Sequence, residues 1–68
     1  MNVQVELVGE ETRSVTVGEG QTYADLLAPF DVTVNEVSVL VDGRPVPEDR
    51  HVGSDVDRVR VVRLVRGG

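Results

Sequence analysis

Valine at every second position is the feature that most limits what this chain can become. Val3, Val5 and Leu7 alternate with Asn2, Gln4 and Glu6, and Val15 and Val17 alternate with Ser14 and Thr16. Val37, Val39 and Val41 bracket Ser38 and Leu40, while Val59 and Val61 interleave with Arg58, Arg60 and Val62. A period of two sends successive side chains to opposite faces of a strand, so each run reads as a strand with one buried face. Seventeen of the 68 residues are Val and none is Ile. β-Branching at that density favours strand over helix.

The breaks between runs set the order of elements. Gly9-Glu10-Glu11-Thr12 reads as a hairpin turn that pairs the first two strands antiparallel, and Gly18-Glu19-Gly20 ends the second. Thr22 and Asp25 have the spacing of a capping box, with a short acid in place of Glu or Gln. One short helix is expected near 23–30, with Tyr23, Leu27 and Phe30 on one face; Pro29 keeps it from being long. Asp42-Gly43 is a turn dipeptide. Two prolines in Arg44–Asp49 remove ladder donors, so that stretch is expected as an ordered loop with Val46 turned inward. Residues 50–57 read as a polar connection with room for a turn of helix, and the last strand as Asp57 to Val65.

Hairpin, helix, strand, loop and strand, in that order, fit an α+β domain. One short helix would pack on one face of a mixed four- or five-stranded sheet. The first and last strands can lie side by side and parallel at its centre, the β-grasp arrangement. Residues 1–65 are expected to form this domain and residues 66–68 a flexible tail.

Composition excludes several classes of function. Seven Arg, no Lys and twelve acids leave a net charge of −5, which argues against direct nucleic-acid binding. No Cys and a single His leave neither a thiol nucleophile nor a metal site. Without an apolar run of 18 residues or a basic-then-apolar start, neither a membrane span nor a secretory signal is expected. The reading is a cytoplasmic monomer that acts through partners and is not an enzyme. Acidity, Arg without Lys and Val without Ile suit a salt-rich host, and suit codon bias equally. His51 is expected at the surface, Tyr23 at the core edge, and Glu6, Glu10 and Glu11 on a solvated face.

The chain's end carries chemistry. Glycine has no side chain to clash, so Gly67-Gly68 suits a tail that threads a narrow channel and brings the Gly68 carboxylate to another protein's active site. Such a carboxylate needs activation, usually as an acyl-adenylate. Arg58, Arg60, Arg63 and Arg66 alternate towards that end, as surface charges or as a means of steering the tail onto an acidic groove. Leu40 and Val62 break the polar-outward pattern and can share the exposed sheet face as a docking patch.

Thr22-Tyr-Ala-Asp25-Leu26-Leu27 resembles the helix opening of the ThiS and MoaD sulfur carriers. Val39-Leu-Val-Asp42-Gly43-Arg-Pro-Val46-Pro47 resembles their strand-turn segment, and Asp55-Val-Asp57-Arg58-Val59 with Gly67-Gly68 their closing segment. Leu64-Val-Arg66-Gly67-Gly68 is also similar to the tail of ubiquitin. With its acidity and brevity, the chain most resembles the small archaeal modifier proteins of the ubiquitin-like superfamily. It departs from the sulfur carriers in having Asp42 where Asn is common, and in Pro29 within the helix.

The resemblance implies a protein modifier and sulfur carrier. A ubiquitin-activating-type adenylating enzyme would use ATP to adenylate Gly68, with Gly67 and Arg66 threading the tail and Leu40, Val62 and Arg63 docking the partner. No cofactor would be bound by the chain itself. The adenylate would go to lysines of target proteins as an isopeptide, or through a sulfurtransferase to a thiocarboxylate for tRNA thiolation or molybdopterin synthesis. A second reading is a non-covalent β-grasp adaptor that uses Leu40 and Val62 alone.

Overall fold

The alternating runs become strands in a computed structural model that describes residues 1–64. They are β1 (Asn2–Leu7), β2 (Glu11–Thr16), β3 (Val37–Val41), β4 (Arg44–Pro45) and β5 (Arg58–Arg63). The five form one sheet in the order β2-β1-β5-β3-β4. β1 and β5 run parallel, whereas β1–β2, β3–β5 and β3–β4 are antiparallel. The sheet is thus mixed, with β5 in the middle and paired on both sides.

Parity follows the valines. Val3 and Val5 are 0% exposed, and Leu7, Val37, Val39, Val59 and Val61 are buried with them. In β2 only Val15 is half-buried; the chain leaves the sheet before Val17, which is buried. The first turn closes with the Glu10 amide donating to the Leu7 carbonyl at 2.9 Å. Gly9 stands there at φ 82°, a conformation glycine adopts without steric cost. The two-residue Asp42-Gly43 turn has positive φ at both positions, 54° and 77°. That is the twist a tight hairpin needs, and Asp tolerates it better than most residues.

The helix is shorter and tighter than its pattern suggests. A 3-10 helix spans Tyr23–Leu27, and the chain turns on from there to Phe30 instead of adding an α-helical turn. Ala28 still has helical backbone, at φ −55° and ψ −40°, but Pro29 after it supplies no amide to continue the ladder, so propagation stops. Asp25 caps as its spacing predicts: its Oδ2 accepts from the Thr22 amide at 2.8 Å and from the Thr22 hydroxyl at 3.3 Å. Tyr23, Leu26, Leu27 and Phe30 close the core over the sheet. Tyr23 is therefore a core ring and not one at its edge.

Three other expectations are refined. Arg44–Pro45 joins the sheet as β4, at its edge, where a proline costs no shared ladder bond. Val46 is half-buried against the core, its amide donating to the Val39 carbonyl at 2.9 Å. A second 3-10 helix, Val34–Glu36, precedes β3, whereas residues 50–57 contain no helix. β5 ends at Arg63, two residues before the expected limit.

Candidate functional site

Two features converge where β5 ends: an apolar patch on the outer sheet face, and a bracket of charges on the inner side. Register decides both. In the β3–β5 ladder Ser38 faces Val62 and Leu40 faces Arg60. Leu40 and Val62 are therefore diagonal neighbours on the face turned away from the core, within reach of each other. Both are half-buried, and neither belongs to the core cluster.

Val8 joins them. Leu7 pairs with Val61, and the next amide along, that of Val8, donates to the Val61 carbonyl at 2.9 Å. The parallel register so carried on sets Val8 beside Val62, half-buried and likewise outside the core cluster. Sequence reasoning passed over Val8 because it abuts the turn. The even parity of Asn2, Gln4 and Glu6, continued by one step, could have found it. Leu64, 49% exposed, follows just past the strand. Beside the patch Arg60 lies 3.4 Å from Glu6, its register partner on β1.

Arg63 does not share this face. Its parity is that of Val59 and Val61, and it faces buried Val37 across the ladder. The exposed side chain meets acids from two other segments. Its Nε donates to Glu10 Oε2 at 2.6 Å and its Nη2 to Glu10 Oε1 at 3.4 Å, and its Nη1 lies 3.9 Å from Glu36 Oε1. The Arg63 hydrogen bond holds the Glu10 carboxyl below the usual glutamate range, and the same bond raises the guanidinium pKa. With a folded pKa below the unfolded one, the pair's contribution is present once Glu10 is ionised and is lost as pH falls through that lowered value. The expected docking trio is thus split: Leu40 and Val62 lie together, and Arg63 is engaged on the other side.

Glu36 is the second residue that the sequence reading missed. Its Oε1 accepts from the Thr33 amide at 2.9 Å, the reciprocal bond of a Thr33-x-x-Glu36 capping box. Its carbonyl accepts from the Leu64 amide at 2.8 Å, one step beyond the β3–β5 ladder. The Glu6, Glu10 and Glu11 group is less idle than a solvated face. Each has an arginine partner, Glu11 pairing with Arg13 at 2.6 Å. His51 is exposed as expected, with its Nδ1 2.9 Å from the Gly20 carbonyl.

Gly68, Gly67 and Arg66, expected as the reacting and threading residues, lie outside the described residues. At the far end of the sheet a hollow of about 250 Å³ is lined by Met1, Val17, Gly18, Glu19, Gly20, Val52 and Ser54. It is remote from the end of β5. No group of three His, Asp or Glu among the described residues can hold a metal ion. No helix among them is long and apolar enough to cross a membrane.

Parallel β1 and β5 inside a mixed sheet, covered on one face by a short helix, define a β-grasp protein of the ubiquitin-like class. The comparisons narrow this further. The family model for small archaeal modifier protein 2 matches residues 1–65. The small archaeal modifier protein 2 of Haloferax volcanii is 60% identical over 68 residues, all of both chains. The crystal structure of the H. volcanii protein of that name superposes with a TM-score of 0.71 at 57% identity, covering 97% of each chain. The chain belongs to the small archaeal modifier protein 2 family: it is a ubiquitin-like modifier.

Proposed function

We propose that the Gly68 carboxylate is the reactive group of this modifier and that a ubiquitin-activating-type enzyme adenylates it. The observation that carries this reading is the setting of the Gly-Gly end. It follows a strand paired on both sides at the middle of the sheet, whose exit is tied to Glu36 and Glu10. A diglycine placed after that strand in sequence can be offered to a narrow active site without a side-chain clash. In the reaction a carboxylate oxygen attacks the α-phosphorus of ATP, and pyrophosphate leaves. A target lysine amine then attacks the carbonyl carbon, forms an isopeptide bond, and releases AMP and a proton. Alternatively the outer sulfur of a sulfurtransferase's cysteine persulfide displaces AMP from the same adenylate, and a second thiol cleaves the acyl disulfide so formed, leaving a protein disulfide and releasing the thiocarboxylate for tRNA thiolation or molybdopterin synthesis. ATP belongs to the activating enzyme; this chain binds no cofactor, catalyses nothing itself and works in the cytoplasm. Gly67 and Arg66 thread the tail.

Intact-mass analysis of the protein recovered from its host tests the two fates. Exchange of oxygen for sulfur at the terminus is expected for the carrier role, and Gly-Gly remnants on target lysines for the modifier role. A terminus carrying neither, with no conjugates, would count against both.

Docking is assigned to the outer patch of Leu40, Val62 and Val8. A charge there removes no core packing, so Leu40→Asp and Val62→Asp are expected to melt within about 0.5 kcal/mol of the parent. In a docked complex the same charge is desolvated unpaired, at about 1–3 kcal/mol, a loss of roughly five- to 150-fold in affinity. Titration with the activating enzyme beside thermal melting checks this. Full-strength binding places the docking surface elsewhere. A non-covalent adaptor would use the same patch, and the two readings part at Gly68.

A further inference from the structure

We infer that Arg63 is a positioning residue for activation: held between Glu10 and Glu36, it fixes the point and direction in which the chain leaves the sheet. The inference rests on the carboxylate reading above. The geometry is specific. Arg63 is the last residue of β5, and Glu10, 53 positions away in sequence, takes two of its nitrogens, at 2.6 and 3.4 Å. Glu36 stands on the other flank with Oε1 3.9 Å from Nη1, and is itself held by the Thr33 amide at 2.9 Å. The Glu36 carbonyl also takes the Leu64 amide at 2.8 Å, so one residue secures the exit by side chain and main chain together.

Exposed ion pairs of this kind contribute little to folding stability. This bracket instead joins the β1–β2 turn, the second 3-10 helix and the end of β5, three segments far apart in sequence. A forked guanidinium suits the task because it meets a carboxylate at two points and so sets orientation as well as charge. Misplacement of a reacting group by about 1 Å can cost up to about 100-fold in rate. A tail that starts from a looser root is therefore expected to reach the adenylation site less often in productive geometry. Arg63 acts through its intramolecular partners, with its charge already engaged before any enzyme arrives.

The test is steady-state adenylation by the activating enzyme, with the full chain as substrate and thermal melting run alongside. Glu10→Gln and Arg63→Ala are each expected to lower kcat by roughly tenfold, with KM within about twofold of the parent. Their melting midpoints should be unchanged. The decisive variant reverses the pair: Glu10→Arg with Arg63→Glu, in a Glu36→Gln background that keeps an oxygen for the Thr33 amide. It is expected to recover most of the kcat lost by Glu36→Gln with Arg63→Glu alone. A raised KM that the reversed pair fails to restore would mean that Arg63 touches the enzyme directly, and would overturn the inference. Parent-like kcat in both Glu10→Gln and Arg63→Ala would overturn it too, with the carboxylate reading intact. A parent chain that is never adenylated would overturn both.

Discussion

Deletion of Gly67 and Gly68 is expected to abolish adenylation and to leave the thermal melting midpoint where it was. The two halves of that result have separate causes. Among the described residues the buried cluster runs from Val3 to Val61, and neither deleted glycine carries a side chain to bury. Among the described residues the last tie of the sheet, from the Leu64 amide to the Glu36 carbonyl, also lies before the deleted ones. The new terminal carboxylate would belong to Arg66, two residues short, and about 7 Å of extended reach would be gone. An enzyme that stabilises a transition state at a fixed distance from its docking surface cannot recover that reach by tighter binding. Pyrophosphate exchange dependent on the modifier, measured for both chains, checks it. An acyl-adenylate on the truncated chain would overturn the Gly68 assignment.

The second large effect is on folding. Leu26, 1% exposed, heads the fully buried side chains, and the 3-10 helix lays it on the sheet face formed by Val3, Val5, Val59 and Val61. Leu26→Ala removes that burial and leaves a cavity, at an expected cost of about 2–5 kcal/mol. A domain of this length has only about 3–10 kcal/mol in hand. The variant is therefore expected to melt far below the parent by circular dichroism, by about 4–8 °C for each kcal/mol lost. Val5→Ala and Val61→Ala, in the central parallel pair, should each cost about 1–3 kcal/mol. Parent-like melting of Leu26→Ala would mean that the helix is not what closes the core. The contrast with the tail deletion is the useful one, since one change removes function without touching stability and the other acts on stability alone.

Much of this architecture was legible before any coordinates. Parity in Val3-x-Val5-x-Leu7, Val37-x-Val39 and Val59-x-Val61 named the buried face, because a one-residue slip would turn every valine to solvent. Thr22-x-x-Asp25 announced the helix, and Asp42-Gly43 the β3–β4 turn, since both signals lie within four residues. Pro29 warned that the helix would be short. That it would be a 3-10 helix followed by a turn to Phe30 was not written in the pattern, because the choice rests on what the segment packs against.

Arg63 shows where local reading fails. Its odd parity, shared with Val59 and Val61, is visible in the sequence, but nothing local separates it from the surface arginines Arg58 and Arg60 or from a docking role beside Leu40 and Val62. Only the parallel pairing of β1 with β5 brings Glu10 to it across 53 positions. Thr33-x-x-Glu36 was a capping signal in plain view; that the Glu36 carbonyl would also receive the Leu64 amide depends on β3 lying antiparallel to β5. Val8 and Leu40 likewise become neighbours of Val62 through two ladders on either side of one strand. The sequence by itself therefore determined which residues face inward, where the chain turns and what chemistry its end can offer, since period, turn and cap are set by near neighbours. The exact ladders, the place of Val8 beside the expected Leu40 and Val62, and the bracket around Arg63 were decided only in the tertiary structure, because each depends on the register of strands that lie side by side, and register between distant segments leaves little local mark.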